Sequence, residues 1–103
     1  MDMESNFFLE IRTPDKEIFR GQIDQVILPG KDGSFGILKN HAPLIAGLQK
    51  GMVKVDAIRV DNVSFDPIEG NLVNDTAKDK HFSFEIEGGV VEVLNNHVTV
   101  LVG

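Results

Sequence analysis

Three histidines and a scatter of carboxylates are the residues of this chain with the most evident chemical potential. His41, His81 and His97 stand far apart, and none falls in a paired spacing such as H-E-x-x-H, which sets two imidazoles on one helical face for a zinc ion. Each reads as a surface or turn histidine. Asp61, Asp66, Glu69, Asp75 and Asp79 offer oxygen ligands, but not in the D-x-[DN]-x-[DN]-G order that wraps calcium. They read as a solvated acidic segment. Gly30, Gly33 and Gly36 form a glycine run, yet a phosphate cradle needs G-x-x-x-x-G-K-[ST], or G-x-G-x-x-G opening a helix, so that backbone amides and a helix end face the anion. The chain beyond Gly36 reads as extended. Ser34 lacks the G-x-S-x-G elbow of a serine nucleophile, and the absence of cysteine removes thiolate chemistry and thiolate metal sites. No catalytic residue, metal or cofactor is expected, which favours a binding or structural module over an enzyme.

The elements that would position these residues are strands. In "HFSFEIE", Phe82, Phe84 and Ile86 share one face while Ser83, Glu85 and Glu87 share the other, as a half-buried strand requires. "FFLEIR" repeats this with Phe7, Leu9 and Ile11 inward, and "HVTVLV" with Val98, Val100 and Val102. In "QIDQVIL", Ile23 is out of phase with Val26 and Leu28, which predicts a bulge or a change of face inside the strand. Asp32-Gly33 and Asn95-Asn96 are suited to left-handed turn positions, and Pro29-Gly30 and Glu87-Gly88-Gly89 mark strand ends. No sustained helical stripe is present. The expected fold is all-β, a two-sheet sandwich of about eight to ten short strands. Residues 56–80 are longer and more polar than a hairpin connection and are expected to form an inserted polar loop or to hold an extra strand near Ile58–Phe65.

Size and charge limit the partners. At 103 residues the chain suits one domain spanning 1–103, burying roughly 65% of its unfolded surface. Ten basic against sixteen acidic residues leave a net charge of -6, a field that repels nucleic-acid phosphates and anionic lipid alike. The acidic start "MDMESNFF" has neither the basic residues nor the apolar length of a signal peptide, and no run approaches the ~18 apolar residues of a membrane span. No nucleic-acid partner and no direct membrane insertion are expected, and the cytoplasm is the expected compartment.

The stretch "GSFGILKNHAPL" sets two glycines, a histidine and a proline between apolar runs. Gly33 and Gly36 would permit backbone geometry that a side chain obstructs, while Pro43 fixes its own φ and biases Ala42 toward an extended conformation. In a wider window, Phe19 and Gly21 before a strand, then Gly30, Gly33 and Gly36-Ile37, then His41-Ala42-Pro43-Leu44, then Gly51 opening a further strand, keep the order found in the epsilon subunit of F-type ATP synthases. Gly88-Gly89, Val93, Asn96 and Val98-Thr99-Val100-Leu101 continue it, so the chain resembles that family's N-terminal domain over most of residues 7–55 and 82–102.

The resemblance implies a ten-stranded β-sandwich at the foot of a rotor. Such a domain is a non-catalytic central-stalk subunit, gripping the gamma subunit and resting on the c-subunit ring, so that proton-driven rotation of the ring reaches the shaft. It sits at the cytoplasmic face of the membrane through the complex. Position by position, the resemblance implies gamma contacts at Thr13, His41, Ile45 and Met52, and c-ring contacts at Lys31, Asp32, Gly33 and Ser34. Ile45 and Met52 also suit a core. His41 likewise suits a turn residue bonded to nearby backbone.

Three departures from the family stand out. Ser34 replaces a frequent acidic residue, with Asp32 as the nearby substitute, and Lys39-Asn40 replaces a common Pro-Gly, which is expected to leave that part of the loop less constrained. The sequence ends at Gly103, where most relatives continue into a helical hairpin, so neither ATP binding nor helix-mediated inhibition is expected of this chain. The rival expectation is a free-standing ligand-binding β-sandwich. It is weakened because all seven aromatics are Phe and the amphipathic rings of Tyr and Trp are missing.

Overall fold

The three most regular alternations become strands whose inward residues are the predicted ones. In the computed structural model, which describes residues 7–64, 72–76 (backbone only) and 81–103, Phe7, Leu9, Ile11, Phe82, Phe84, Ile86, Val98, Val100 and Val102 are all buried. The described strands are β1 (Phe8–Arg12), β2 (Glu17–Gly30), β3 (Gly33–Leu38), β4 (Leu44–Leu48), β5 (Gly51–Val63), β6 (Leu72–Thr76), β7 (His81–Ile86), β8 (Gly89–Leu94) and β9 (His97–Val102). Among the described residues there is no helix.

Hydrogen bonding runs in the order β1-β9-β8-β4-β2-β5-β7-β6, with β3 added to β2 and β1 also paired to β2. Two layers result because β2 serves both. Its first half lies antiparallel to β1, with Leu9 opposite Gly21 and Ile11 opposite Phe19. Its second half pairs with β3, with Val26 opposite Ile37 and Leu28 opposite Phe35. Between these halves the register against β5 shifts at Arg20/Gly21, Gln22/Ile23 and Ile23/Gln25. This is the bulge that Ile23 predicted: the inward residues switch from Phe19, Gly21 and Ile23 to Val26 and Leu28, and all of them remain buried. A bulged strand bends and twists more strongly, which lets it pass from one layer to the other. At the far end Gly30 pairs with Leu48, so β2 also meets β4.

The core between the layers is apolar and close-packed. Phe19 lies 5.2 Å from Phe82, centroid to centroid and tilted, and Phe82 lies 6.2 Å from Phe84 in a stacked arrangement. Such ring pairs add to the burial of their large surfaces.

Three sequence expectations are corrected, those for Phe19 with Gly21, for Asp32 and for Gly36. Phe19 and Gly21 lie inside β2 rather than ahead of it. Within 56–80 the expected strand near Ile58–Phe65 is present as far as Val63, as the continuation of the 13-residue β5, with Val53, Val55 and Ala57 inward and Phe19 opposite Val63. Residues 72–76 pair as β6 with β7, and Phe65 with the remainder of 65–80 lies outside the described residues. In the β2–β3 turn the positive φ falls on Gly33 alone (125°), Asp32 keeping the ordinary sign. Gly36 has no positive φ, and a Cβ there would meet nothing closer than 3.9 Å, so no internal contact demands glycine at that position. The Asn95-Asn96 turn forms as predicted, with φ of 52° and 63° at its two residues, the pattern of a type I′ hairpin.

Candidate interaction surface

The outward face of the β4-β8-β9-β1 layer is unusually apolar for a face that carries no core. Register places Ile45 opposite Glu92, Glu92 opposite Thr99 and Thr99 beside Glu10. On one side of this row Val90 faces Leu101, and on the other Leu94 faces His97, which lies beside Phe8. Ile45 is 73% exposed, and Val90, Leu94 and Leu101 are exposed as well. The segments "VVEVL" and "VTVLV" carry apolar residues at both parities, a signal that both faces of these strands would be covered. Sequence reading that tracks only the inward set misses Val90, Leu94 and Leu101. Some polar members of the face are paired locally: Arg12 reaches Glu10 at 3.0 Å and Glu17 at 3.6 Å, and His97 Nε2 lies 3.8 Å from Glu10.

The loop from Lys39 to Pro43 rises beside this face. Lys39 and Asn40 are the central residues of a turn closed by the His41 N–H donating to the Leu38 carbonyl at 3.2 Å. Asn40 has φ of 70°, the second-position value of a type II turn, where Gly or Asn is favoured. Its backbone N–H donates to Asn96 Oδ1 at 2.5 Å, and Asn96 Nδ2 donates to Asn40 Oδ1 at 3.2 Å. Lys39-Asn40 therefore leaves the loop held, contrary to expectation, because Asn adopts the glycine-like φ and adds an amide partner. The His41 ring bonds through Nδ1 to its neighbour's carbonyl, Ala42 O, at 2.8 Å. This is the turn contact anticipated for it, and Nε2 is left as the nitrogen that could face a partner.

The second feature is the β2–β3 turn, in which Lys31, Asp32, Gly33 and Ser34 are all exposed. The Lys31 side chain lies over Gly47, whose missing Cβ gives it room. These four residues form one polar tip. The four predicted gamma-contact residues are not brought together in this way. His41 and Ile45 flank the same loop. Thr13 lies just past the opposite end of β1, where its hydroxyl accepts from the Lys16 N–H at 3.0 Å and so closes the β1–β2 turn. Met52 is half-buried on the outer side of β5, in the other layer. Ile45 is not core.

On that other layer Asp56 accepts two hydrogen bonds, from His81 Nδ1 at 2.8 Å and from Gln25 Nε2 at 2.8 Å. The His81 bond, then the Gln25 bond, hold its carboxyl below the usual carboxylate value. A depressed folded-state value contributes stability that is complete above the unfolded value of about 4 and is lost as pH falls through the folded one. The side chains are 61% (His81) and 36% (Asp56) exposed, so the contribution is below about 1 kcal/mol. Urea midpoints taken between pH 5 and pH 3 are expected to fall more steeply for the wild type than for Asp56→Asn, and parallel profiles would contradict this. Among the described residues no group of three His, Asp or Glu side chains is placed to hold a metal ion.

Fold and surface together define an all-β, two-layer module with an exposed polar tip and an apolar outer face beside an ordered loop. The chain belongs to the family described as "ATP synthase, Delta/Epsilon chain, beta-sandwich domain", whose profile matches residues 6–65. It is 39% identical over 95 residues to the ATP synthase epsilon chain of Chlorobium limicola, covering 92% of this chain and 86% of that one. It is 35% identical to that of Syntrophomonas wolfei, over 95% of this chain and 58% of the other. A chain in the structure of the Tetrahymena thermophila mitochondrial ATP synthase central stalk and c ring superimposes with a TM-score of 0.68 over 98% of this chain and 66% of that one. At 20% identity, that likeness is one of fold.

Proposed function

We propose that residues 1–103 act as one non-catalytic domain of the rotor of an F-type ATP synthase, fastening the c-subunit ring to the gamma shaft while proton flow turns them. It works at the cytoplasmic face of the membrane, held there by the complex. Gamma meets the face and loop carrying His41 and Ile45, with Thr13 and Met52 as further contacts, and the c ring meets the tip Lys31-Asp32-Gly33-Ser34. The observation that carries this reading is Ile45, a large aliphatic side chain 73% exposed on a layer whose inward side already has its core. Ile45 shares this face with the exposed Val90, Leu94 and Leu101, and exposed apolar side chains gathered on one face suit a protein partner. A close-packed sandwich suits the mechanical role, since its interior does not yield gradually under load.

The test is binding to the purified gamma subunit of the same organism. A stable one-to-one complex is expected, burying on the order of 1,600 Å² or more. Ile45→Glu is expected to weaken it at least about tenfold, the effect of losing roughly 1.4 kcal/mol at an interface anchor, while the thermal midpoint of the free domain is unchanged. A wild-type chain that does not bind gamma would overturn the reading.

A further inference from the structure

The loop bearing His41 is exposed from Lys39 through Pro43, so packing does not fix its direction. It also joins β3, which belongs to the layer of β2 and β5, to β4, which belongs to the layer of β8 and β9. Two hydrogen bonds, one donated by each residue, join its Asn40 to Asn96, 56 positions away. Asn96 is a fixed post. It sits in the two-residue β8–β9 turn with φ of 63°, and its carbonyl accepts the Phe8 N–H at 2.9 Å, which ties the turn to β1. One amide side chain thus connects the loop to a point already held by three strands.

We propose that Asn96, through its amide pair with Asn40, is a positioning residue for the partner surface: it holds the His41 loop in the orientation that gamma binds. This rests on the function proposed above. An exposed loop left to sample many orientations is binding-competent only part of the time, and its apparent affinity falls by that fraction. Ordering it beforehand removes that loss. The two bonds are directional and involve both atoms of the amide, so they select one loop orientation rather than merely tethering it.

Asn96→Gly isolates this role. It removes both amide contacts, keeps the backbone carbonyl bond to Phe8, tolerates the positive φ, and leaves an Asn-Gly sequence that favours the same type I′ turn. Asn95→Gly is the matched control, because it makes the same change in backbone freedom at the neighbouring position (φ of 52°) without touching the loop. Affinity for gamma is expected to fall about five- to tenfold in Asn96→Gly and to stay at the wild-type value in Asn95→Gly, with the two thermal midpoints alike. Asn96→Asp keeps an acceptor for the Asn40 N–H and is expected to recover most of the affinity. In the free wild-type domain the Asn40 amide is expected to be protected from hydrogen exchange, and in Asn96→Gly to exchange freely. Wild-type affinity in Asn96→Gly, or an Asn40 amide equally unprotected in both proteins, would overturn the proposal. If the wild type does not bind gamma at all, the positioning role falls with the functional reading. Persisting protection of the Asn40 amide then identifies the functional reading as the part that failed.

Discussion

Phe19→Ala is expected to destabilise the domain by about 3–5 kcal/mol, the range for emptying a buried phenylalanine site. Phe19 is fully buried on β2, directly opposite Ile11 of β1 and Val63 of β5, with its ring against Phe82. It therefore joins the first half of β2 to both neighbours at once, and the surrounding strands, paired on either side, cannot collapse into the space. Typical domains have only about 5–15 kcal/mol in total. For a chain of this size the thermal midpoint should drop by at least about 12 °C, read by the loss of far-ultraviolet strand signal on heating. A drop of only a few degrees would mean that the ring cluster is not the centre of the core.

Gly21→Ala is the second large effect, and it arises two residues away from the opposite cause, too little room. A Cβ on Gly21 would lie 2.2 Å from the Arg59 carbonyl oxygen and 3.1 Å from Cζ of Phe19. The oxygen is backbone, on the strand paired with β2 at the register shift, so it cannot rotate aside as a side-chain end would. Overpacking of this kind costs roughly 1–3 kcal/mol, and the reduced freedom of the unfolded chain offsets only about 0.4–1 kcal/mol of it. A net loss of about 1.3 kcal/mol lowers the midpoint by about 5 °C or more. An unchanged or raised midpoint would show that β5 separates from β2 at the bulge without resistance.

Strand faces were legible from sequence wherever one side of a strand is covered and the other wet. Ile11, Phe84 and Val98 alternate with polar neighbours, and burial tracks the alternation. Even the interruption at Ile23 was readable, because a strand that changes layers must change the parity of its inward residues. A strand near Ile58 was readable, but its continuity with the strand opening at Gly51 was not. Past Ala57 its side chains alternate poorly and, apart from the half-buried Val60, are exposed, yet the backbone goes on pairing with the start of β2, and main-chain hydrogen bonds leave no mark on side-chain pattern. The surface divides in the same way. The tip at Lys31–Ser34 was visible as a turn with its glycine, and the ordered resemblance to a family located His41. The amide pair that orders the loop was invisible, since Asn40 and Asn96 are unremarkable turn residues until the topology sets them side by side.

Because β2 continues for 14 residues through the bend that separates the layers, the exposed tip at one end and the half paired with β1 at the other are the two ends of a single covalent cord. An extended peptide is already close to its limiting reach of about 3.3–3.6 Å per residue and has almost no slack to give. A pull on Lys31 or Asp32 would therefore reach Ile18 and Phe19 along covalent bonds, without depending on friction between sliding layers.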